Sequence, residues 1–130
     1  MLFQTANLIQ HLNLAQNVSL VQSLSKRSRT DRPDVLRLVG LQHRRRAYPG
    51  QLSGGELALA GLAVALANQP TVLLADEPTA EVDSTAETRV IDLIVDAAQR
   101  GTAVVVACHS TAVAAAATRT LRLDDGRLSA

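Results

Sequence analysis

The stretch TVLLADEP, residues 71–78, decides the fold of this 130-residue chain. An apolar run, residues 71–75, precedes two adjacent carboxylates, Asp76 and Glu77, and Pro78 ends it. A short continuous apolar run of this kind indicates a strand that is buried on both faces of a parallel sheet. A segment with helical spacing, residues 84–100, and a second β-branched run, residues 102–107, follow. This alternation of strand and helix predicts an α/β fold with a parallel sheet.

Helical spacing of apolar residues predicts further helices over 13–24, 34–39, 53–68 and 110–118. We expect Asp31 to cap the second of these, with Pro33 in its first turn and Gly40 at its end. The basic segment 25–29 is predicted as a loop, more simply a solvated connector than a phosphate- or lipid-binding segment. Residues 43–49 are predicted as a loop with a basic patch at Arg44, Arg45 and Arg46. Residues 119–129 are predicted to form a hairpin that turns at Asp124-Asp125-Gly126.

The composition indicates a domain with little net charge and a core of small apolar residues. Hydrophobic residues make up 47% of the chain but aromatic residues only 2%, so alanine, valine and leucine must form the core. The net charge of +1 and the scarcity of aromatic side chains give no indication of nucleic-acid binding. The single cysteine, Cys108, excludes an internal disulfide and fits a reducing compartment. Since no apolar run reaches the length of a membrane span, we expect a soluble, cytoplasmic domain.

Asp76 and Glu77 follow a predicted parallel strand at its carboxyl end, where open α/β sheets bind their ligands. An aspartate there can hold Mg²⁺, commonly through water, and the neighbouring glutamate can polarise an attacking water. His109 ends the next predicted strand and is therefore expected at the same edge of the sheet. Two alternatives stay open: the acids only solubilise a loop, and His109 is an ordinary surface group.

Ser53-Gly54-Gly55-Glu56 stands where a helix is predicted to begin. Its glycines allow an anion to approach the backbone, and the N–H groups of a first helical turn favour phosphate. The same Ser-x-x-Glu pattern is also that of a capping box without any ligand. Asp83, ahead of the next predicted helix, is likewise either a functional residue or a plain N-cap.

In chain order, these segments resemble the motifs of ABC-type ATPases. The Q-loop, signature, Walker B, D-loop and H-loop correspond to Phe3-Gln4, Leu52–Glu56, Leu73–Pro78, Ala80-Glu81-Val82-Asp83 and His109. The resemblance extends from Gln4 to Leu128 and is closest to the lipoprotein-release and macrolide-export branch. It implies an α/β fold, a truncated P-loop NTPase in which a helical subdomain, residues 1–69, precedes a parallel-sheet core, residues 70–130.

The resemblance also implies roles for the residues around Mg²⁺ and ATP. Asp76 would bind the Mg²⁺ shell, Glu77 would act as the general base, and His109 would contact the γ-phosphate. Gln4 would contact the metal and the nucleotide and signal to the membrane subunit.

In the same family the signature acts in trans, so hydrolysis requires a head-to-tail dimer of ATP-binding subunits. Ser53, Gly54, Gly55 and Glu56 would face the ATP of the opposite subunit, with Ser53 and Gly55 at its γ-phosphate. Asp83 would bridge the dimer. An ABC transmembrane subunit would be the other partner, which places the protein at the inner face of the cell membrane.

The lysine loop of a P-loop NTPase, G-x-x-x-x-G-K-[ST], is absent from these residues. Lys26 is the only lysine, and no glycine precedes it. We therefore expect the C-terminal part of an ATPase domain, beginning at the Q-loop and inactive alone. A missing strand beside residues 102–107 would leave a hydrophobic sheet edge for a partner to cover. Apolar residues also replace the Gln and Arg common along the signature helix: Leu57, Ala58, Leu59, Gly61 and Val64.

The leading interpretation is an ATP-binding subunit of an ABC transporter. It would couple ATP binding and hydrolysis to transmembrane export or to the extraction of a lipoprotein or lipid. The alternative is a non-catalytic module that supplies only its signature face to a complete ATPase. The apolar signature helix favours that alternative, whereas intact Asp76, Glu77 and His109 argue against it. An ABC ATPase of DNA repair or translation is disfavoured, because no basic, aromatic surface is indicated.

Overall fold

The computed structural model describes residues 1–3, 7–25 and 32–129, and it shows a mixed α/β structure. The helices are α1 (Leu14–Ser23), α2 (Val35–Leu38), α3 (Gly54–Leu66), α4 (Ser84–Gln99) and α5 (Thr111–Ala116). The strands are β1 (Val72–Asp76), β2 (Ala103–Ala107), β3 (Arg122–Asp124) and β4 (Arg127–Ser129). None of the helices in these ranges is long and apolar enough to cross a membrane.

The central sheet is parallel, as the alternation of strand and helix predicts. β1 pairs with β2 in a register that sets Val72 opposite Ala103 and Asp76 opposite Ala107. On the other edge of β1, Leu2 forms a parallel bridge with Ala75. The N–H of Leu2 donates to the carbonyl of Leu74 at 2.7 Å, and the N–H of Asp76 donates to the carbonyl of Leu2 at 2.9 Å. The start of the chain therefore belongs to the same sheet as β1.

Only one face of this sheet is buried, so the prediction of a strand covered on both faces is wrong. Leu73 and Ala75 are 0% and 5% exposed and join a core with Val90 of α4 and Leu62 of α3. On the opposite face, Leu74 is 44% exposed and Val105 of β2 is 61% exposed. The helices pack on one side, and no element among the described residues covers the other. Although β1 is apolar up to Asp76, the side chains on one of its faces are exposed to solvent.

The predicted edge beside β2 is also open. Within the described part of the chain, β2 pairs with β1 and with no other strand. The exposed apolar surface therefore includes both the edge of β2 and the face that carries Leu74 and Val105.

The residue that caps α2 differs from the prediction. The side chain of Asp34 accepts a hydrogen bond from the N–H of Arg37 at 3.2 Å, so Asp34 is the N-cap and Pro33 precedes the helix. Asp31, the predicted cap, lies outside the described residues. Gly40 does end the helix, since its φ of +81° is the left-handed conformation that glycine adopts readily. The loop predicted from residue 43 contains short 3-10 turns, Gln42–Arg44 and Pro49–Gln51.

A buried amide holds the start of α1. Asn17 is 3% exposed, and its Oδ1 accepts a hydrogen bond from the N–H of Ile9 at 2.7 Å. Its Nδ2 donates to the carbonyls of Ile9, Leu12 and Asn13 at 2.9–3.2 Å. This single side chain therefore satisfies several backbone groups where the chain turns into the helix.

The C-terminal hairpin agrees with the prediction. β3 and β4 are antiparallel, with Asp124 opposite Arg127. Asp125 and Gly126 form the turn at φ values of +46° and +78°. Positive φ at both central residues is the signature of a type I′ turn, which Asp-Gly favours.

Candidate functional site

The two carboxylates lie at the end of β1, and they have different surroundings. Asp76 is the last strand residue and is exposed, whereas Glu77 is half-buried. The N–H of Glu77 donates to the carbonyl of Ala107 at 2.8 Å. Glu77 also adopts a φ of +46°, a left-handed conformation that is uncommon for residues other than glycine. The chain therefore turns sharply at Glu77, directly after the end of β1.

His109 lies close to Glu77, as expected for residues that follow neighbouring parallel strands. His109 Nε2 is 3.5 Å from Glu77 Oε1. The imidazole is 99% exposed, while the Glu77 side chain is 24% exposed. A carboxylate and an imidazole at this sheet edge can hold a water between them, and the imidazole can donate to a phosphate oxygen.

Ser53 and Glu56 form a capping box at the start of α3. Ser53 Oγ accepts a hydrogen bond from the N–H of Glu56 at 3.2 Å, and Glu56 Oε2 accepts one from the N–H of Ser53 at 3.0 Å. The capping box that the Ser-x-x-Glu pattern predicts is therefore present. It leaves the N–H groups of Gly54 and Gly55, which have no acceptor within the helix, able to meet an anion.

Arg44 holds the other side of this capping box, whereas the sequence predicts it only as part of the basic patch of a loop. Arg44 Nη2 donates to the carbonyl of Gln51 at 2.6 Å and to Glu56 Oε2 at 3.4 Å. Arg44 Nε also lies 3.2 Å from Glu56 Oε1 as an ion pair. The hydrogen bond from Ser53, and then the charge of Arg44, hold the pKa of the Glu56 carboxyl below its usual 4.5, although partial burial opposes them.

Asp83 is the N-cap of α4, because its Oδ1 accepts a hydrogen bond from the N–H of Ala86 at 2.9 Å. The starts of α3 and α4 also touch each other. A Cβ built on Gly54 would lie 2.9 Å from the carbonyl oxygen of Glu81, and one built on Gly55 would lie 2.7 Å from Ala86 Cβ. Nothing in the sequence pattern indicates this contact.

The candidate residues therefore form two groups. Asp76, Glu77 and His109 make up the first; Ser53–Glu56 with the Asp83-capped start of α4 make up the second. No hydrogen bond or ion pair among residues 32–129 links Ser53–Glu56 to the first group. Gln4 lies outside the described residues, so its predicted contact with metal and nucleotide stays a prediction.

The carboxylate of Asp76 suits a magnesium ion whose remaining ligands are water and the phosphates of a bound substrate. In the described ranges, no group of three or more His, Cys, Asp or Glu side chains could enclose a metal by itself. Mg²⁺ commonly takes one or two carboxylates and completes its shell with water and substrate phosphates. An exposed Asp76 at the end of a strand matches that requirement.

A large cavity among the described residues lies away from both groups. This cavity of about 630 Å³ lies between α1 and α2 and is lined by Val18, Gln22 and Arg45 among others, with no residue of either group. Both groups are instead on open surface, which suits a ligand enclosed only when another protein surface covers it.

Comparison with known proteins places these motifs in one family. A model of the ABC transporter family matches residues 1–80. The uncharacterized ABC transporter ATP-binding protein MT1014 of Mycobacterium tuberculosis is 36% identical over 133 residues, covering 98% of this chain and 54% of the relative. The lipoprotein-releasing system ATP-binding protein LolD of Bordetella pertussis is 42% identical over 103 residues, covering 78% of this chain and 45% of the relative.

A solved structure supports the same assignment at the level of the fold. The dimeric, post-hydrolysis state of the ATP-binding cassette MJ0796, bound to ADP and Pi, superposes with a TM-score of 0.84 at 30% identity. The match covers 98% of this chain and 60% of the cassette. The chain spans about half the length of the curated relatives it matches. It belongs to the ABC transporter family, and its fold is that of part of an ATP-binding cassette.

Proposed function

We propose that this chain is the signature and Walker B part of an ATP-binding subunit that drives an ABC transporter. The main observation behind the proposal is that His109 Nε2 lies 3.5 Å from Glu77 Oε1. Both residues lie beside Asp76 at the carboxyl edge of a parallel sheet. The relative named LolD belongs to a lipoprotein-releasing system, which supports export or extraction of a lipid-linked substrate as the work performed.

In this proposal each residue at the sheet edge has its own task. Asp76 holds Mg²⁺ through water, and the bound ion neutralises charge on the phosphates. Glu77 orients and deprotonates the attacking water. His109, whose imidazole is almost wholly exposed, contacts the γ-phosphate. Gln4 contacts the metal and the nucleotide and transmits their state to the membrane subunit.

The signature serves a second nucleotide in this proposal. Ser53, Gly54, Gly55 and Glu56 receive the ATP of an opposite ATP-binding subunit, and Asp83 bridges the two subunits. The open position of the α3 start and the dimeric state of the structurally similar cassette support this arrangement. The assembly lies under an ABC transmembrane subunit at the inner face of the cell membrane, and nucleic acid is not a partner.

The lysine loop of the first nucleotide site comes, in this proposal, from sequence outside these 130 residues. The exposed apolar face of the sheet, with Leu74 at 44% and Val105 at 61% exposure, supports a covering segment there. The chain by itself is then expected neither to hydrolyse ATP nor to bind it tightly.

The alternative of a non-catalytic module loses part of its support. Its main indication was the apolar signature helix, yet Val64 is 6% exposed and Leu59 packs against the core. Burial therefore accounts for these two apolar residues, so they give less support to a non-catalytic module.

Two measurements test the proposal. The purified chain is mixed with a complete cassette, the LolD protein of Bordetella pertussis, and association is measured with and without Mg-ATP by analytical ultracentrifugation. We expect a complex only with Mg-ATP, and absence of a nucleotide effect would contradict the trans role of the signature. In the second measurement, magnesium-dependent turnover by the chain alone that Glu77→Gln abolishes would overturn the claim that the isolated chain is inactive.

A further inference from the structure

Three glycines near the start of α3 differ sharply in their surroundings. A Cβ added to Gly50 would meet nothing within 4 Å. One added to Gly54 would lie 2.9 Å from the backbone oxygen of Glu81, and one added to Gly55 would lie 2.7 Å from Ala86 Cβ. Separations under 3 Å are closer than real Cβ contacts, so the neighbouring groups would have to move. The last two positions therefore exclude a side chain for a reason that lies within this chain.

Backbone conformation does not require glycine at position 55, although the lack of a side chain there would let an anion approach the backbone closely. Gly54 and Gly55 are not among the residues with positive φ. An anion at a helix start uses backbone N–H groups, which every residue except proline supplies. Glycine is also a poor helix former, so alanine would be favoured at Gly55 by helix propensity alone. The contact with Ala86 is the structural feature that opposes alanine.

Ala86 is held firmly on its own helix. Its N–H donates to Asp83 Oδ1 at 2.9 Å, which fixes it in the first turn of α4. One turn further, Val90 is 0% exposed and anchors α4 in the core. The Ala86 methyl group is therefore a fixed surface against which the start of α3 rests.

We propose that Ala86 is a positioning residue that sets the place of the α3 start through its contact with Gly55. In terms of the proposed function, on which this inference rests, the contact places the N–H groups of Gly54 and Gly55 where they meet the ATP of the opposite subunit. Ala86 itself touches no nucleotide. Its methyl group fills the space that glycine at position 55 leaves.

The inference is tested by exchanging glycine and alanine between positions 55 and 86, which moves the methyl group from α4 to α3. Urea unfolding of the 130-residue chain is compared for the parent, Gly55→Ala, Ala86→Gly and the double variant. We expect Gly55→Ala to lower the folding equilibrium constant at least tenfold, against its helix propensity, and the double variant to recover most of that loss. Gly54→Ala meets backbone oxygen and is expected to stay destabilised in the Ala86→Gly background. Gly50→Ala is the matched control and should unfold like the parent.

A second readout separates positioning from stability alone. For variants that are fully folded at the assay temperature, the ATP concentration that gives half-maximal association with the Bordetella pertussis LolD protein is measured. We expect Ala86→Gly and Gly55→Ala each to raise it threefold or more, and the double variant to return within twofold of the parent. Full stability of Gly55→Ala, or recovery of stability in the double variant without recovery of ATP-dependent association, would overturn the inference. If the parent itself shows no ATP-dependent association, the proposed function fails, and the unfolding cycle alone decides whether Ala86 sets the α3 start.

Discussion

Replacing Glu56 tests how the start of the signature helix is held together. Its carboxylate accepts a hydrogen bond from the N–H of Ser53 at 3.0 Å and faces Arg44 at 3.2 Å. Glu56→Gln keeps an acceptor for Ser53 but removes the charge that Arg44 faces. Glu56→Ala removes both. The pair of variants therefore separates the capping bond from the ion pair.

The expected magnitudes follow from these contacts and their exposure. Loss of a capping interaction costs about 1 kcal/mol. The ion pair is 35% and 27% exposed at its two side chains, so solvent screens it and about 0.5 kcal/mol is a suitable value. We expect Glu56→Ala to lower the free energy of unfolding by about 1.5 kcal/mol and Glu56→Gln by about 0.5 kcal/mol. With an m-value of about 2 kcal/mol per M urea, the midpoints shift by about 0.75 M and about 0.25 M.

The pH dependence has a definite sign. The hydrogen bond from Ser53, followed by the charge of Arg44, lowers the pKa of Glu56 in the folded chain below 4.5. A carboxyl group with a lowered folded pKa contributes stability that is present above its unfolded pKa and disappears as the pH falls through the folded value. The difference between the parent and Glu56→Gln should therefore be full at pH 7 and shrink below pH 4.5.

Urea unfolding followed by circular dichroism at pH 7 and at pH 3.5 measures these effects. Asp92→Asn is the matched control, since Asp92 is exposed on α4 and makes no ion pair among the described residues. Two results would refute the reasoning. One is a Glu56→Gln variant as unstable as Glu56→Ala at pH 7; the other is a difference between parent and Glu56→Gln that does not change with pH.

Three further variants test the core, the sheet face and the sheet edge. Asn17→Leu removes the hydrogen bonds to the backbone of residues 9–13 and should cost about 3 kcal/mol, measured by urea unfolding; a loss under about 1 kcal/mol would contradict the role of this amide. Leu74→Thr should change the free energy of unfolding by under about 0.5 kcal/mol, measured by urea unfolding, because Leu74 lies on the open face; a loss above about 1.5 kcal/mol would contradict that placement. His109→Ala should unfold like the parent because the imidazole is 99% exposed; in a cassette completed with a lysine loop it should still lower ATP turnover, and full turnover would remove His109 from the site.

The sequence was sufficient to predict the sheet and the edge that carries its polar residues. Apolar runs of strand length indicated β1 and β2, and the helix between them required a parallel pairing. The positions of Asp76, Glu77 and His109 then followed, because parallel strands end at the same edge. The turn of the β3–β4 hairpin was predictable for a similar reason, since Asp-Gly favours positive φ locally.

What could not be predicted depends on contacts between segments that are distant in the chain. Arg44 reaches Glu56 across the segment that contains the 3-10 turns, and no periodic pattern in the sequence indicates that approach. The contact of Gly55 with Ala86 likewise depends on how α3 and α4 pack. The open face of the sheet was mispredicted because an apolar run shows which side chains favour burial, not whether a covering layer is present. Leu74 and Leu73 are equally apolar, yet only Leu73 is enclosed.

The left-handed conformation of Glu77 has a consequence for how this sequence changes over generations. A side chain at φ +46° costs about 1–2 kcal/mol relative to the ordinary helical region, and glycine largely avoids that cost. Glutamate and glycine codons differ by one base, so a more relaxed turn is always one mutation away. In a relative whose function does not need a carboxylate at this position, a change to glycine would meet little opposition from stability. Among such relatives, position 77 is therefore expected to change to glycine sooner than the fully buried Leu73 changes.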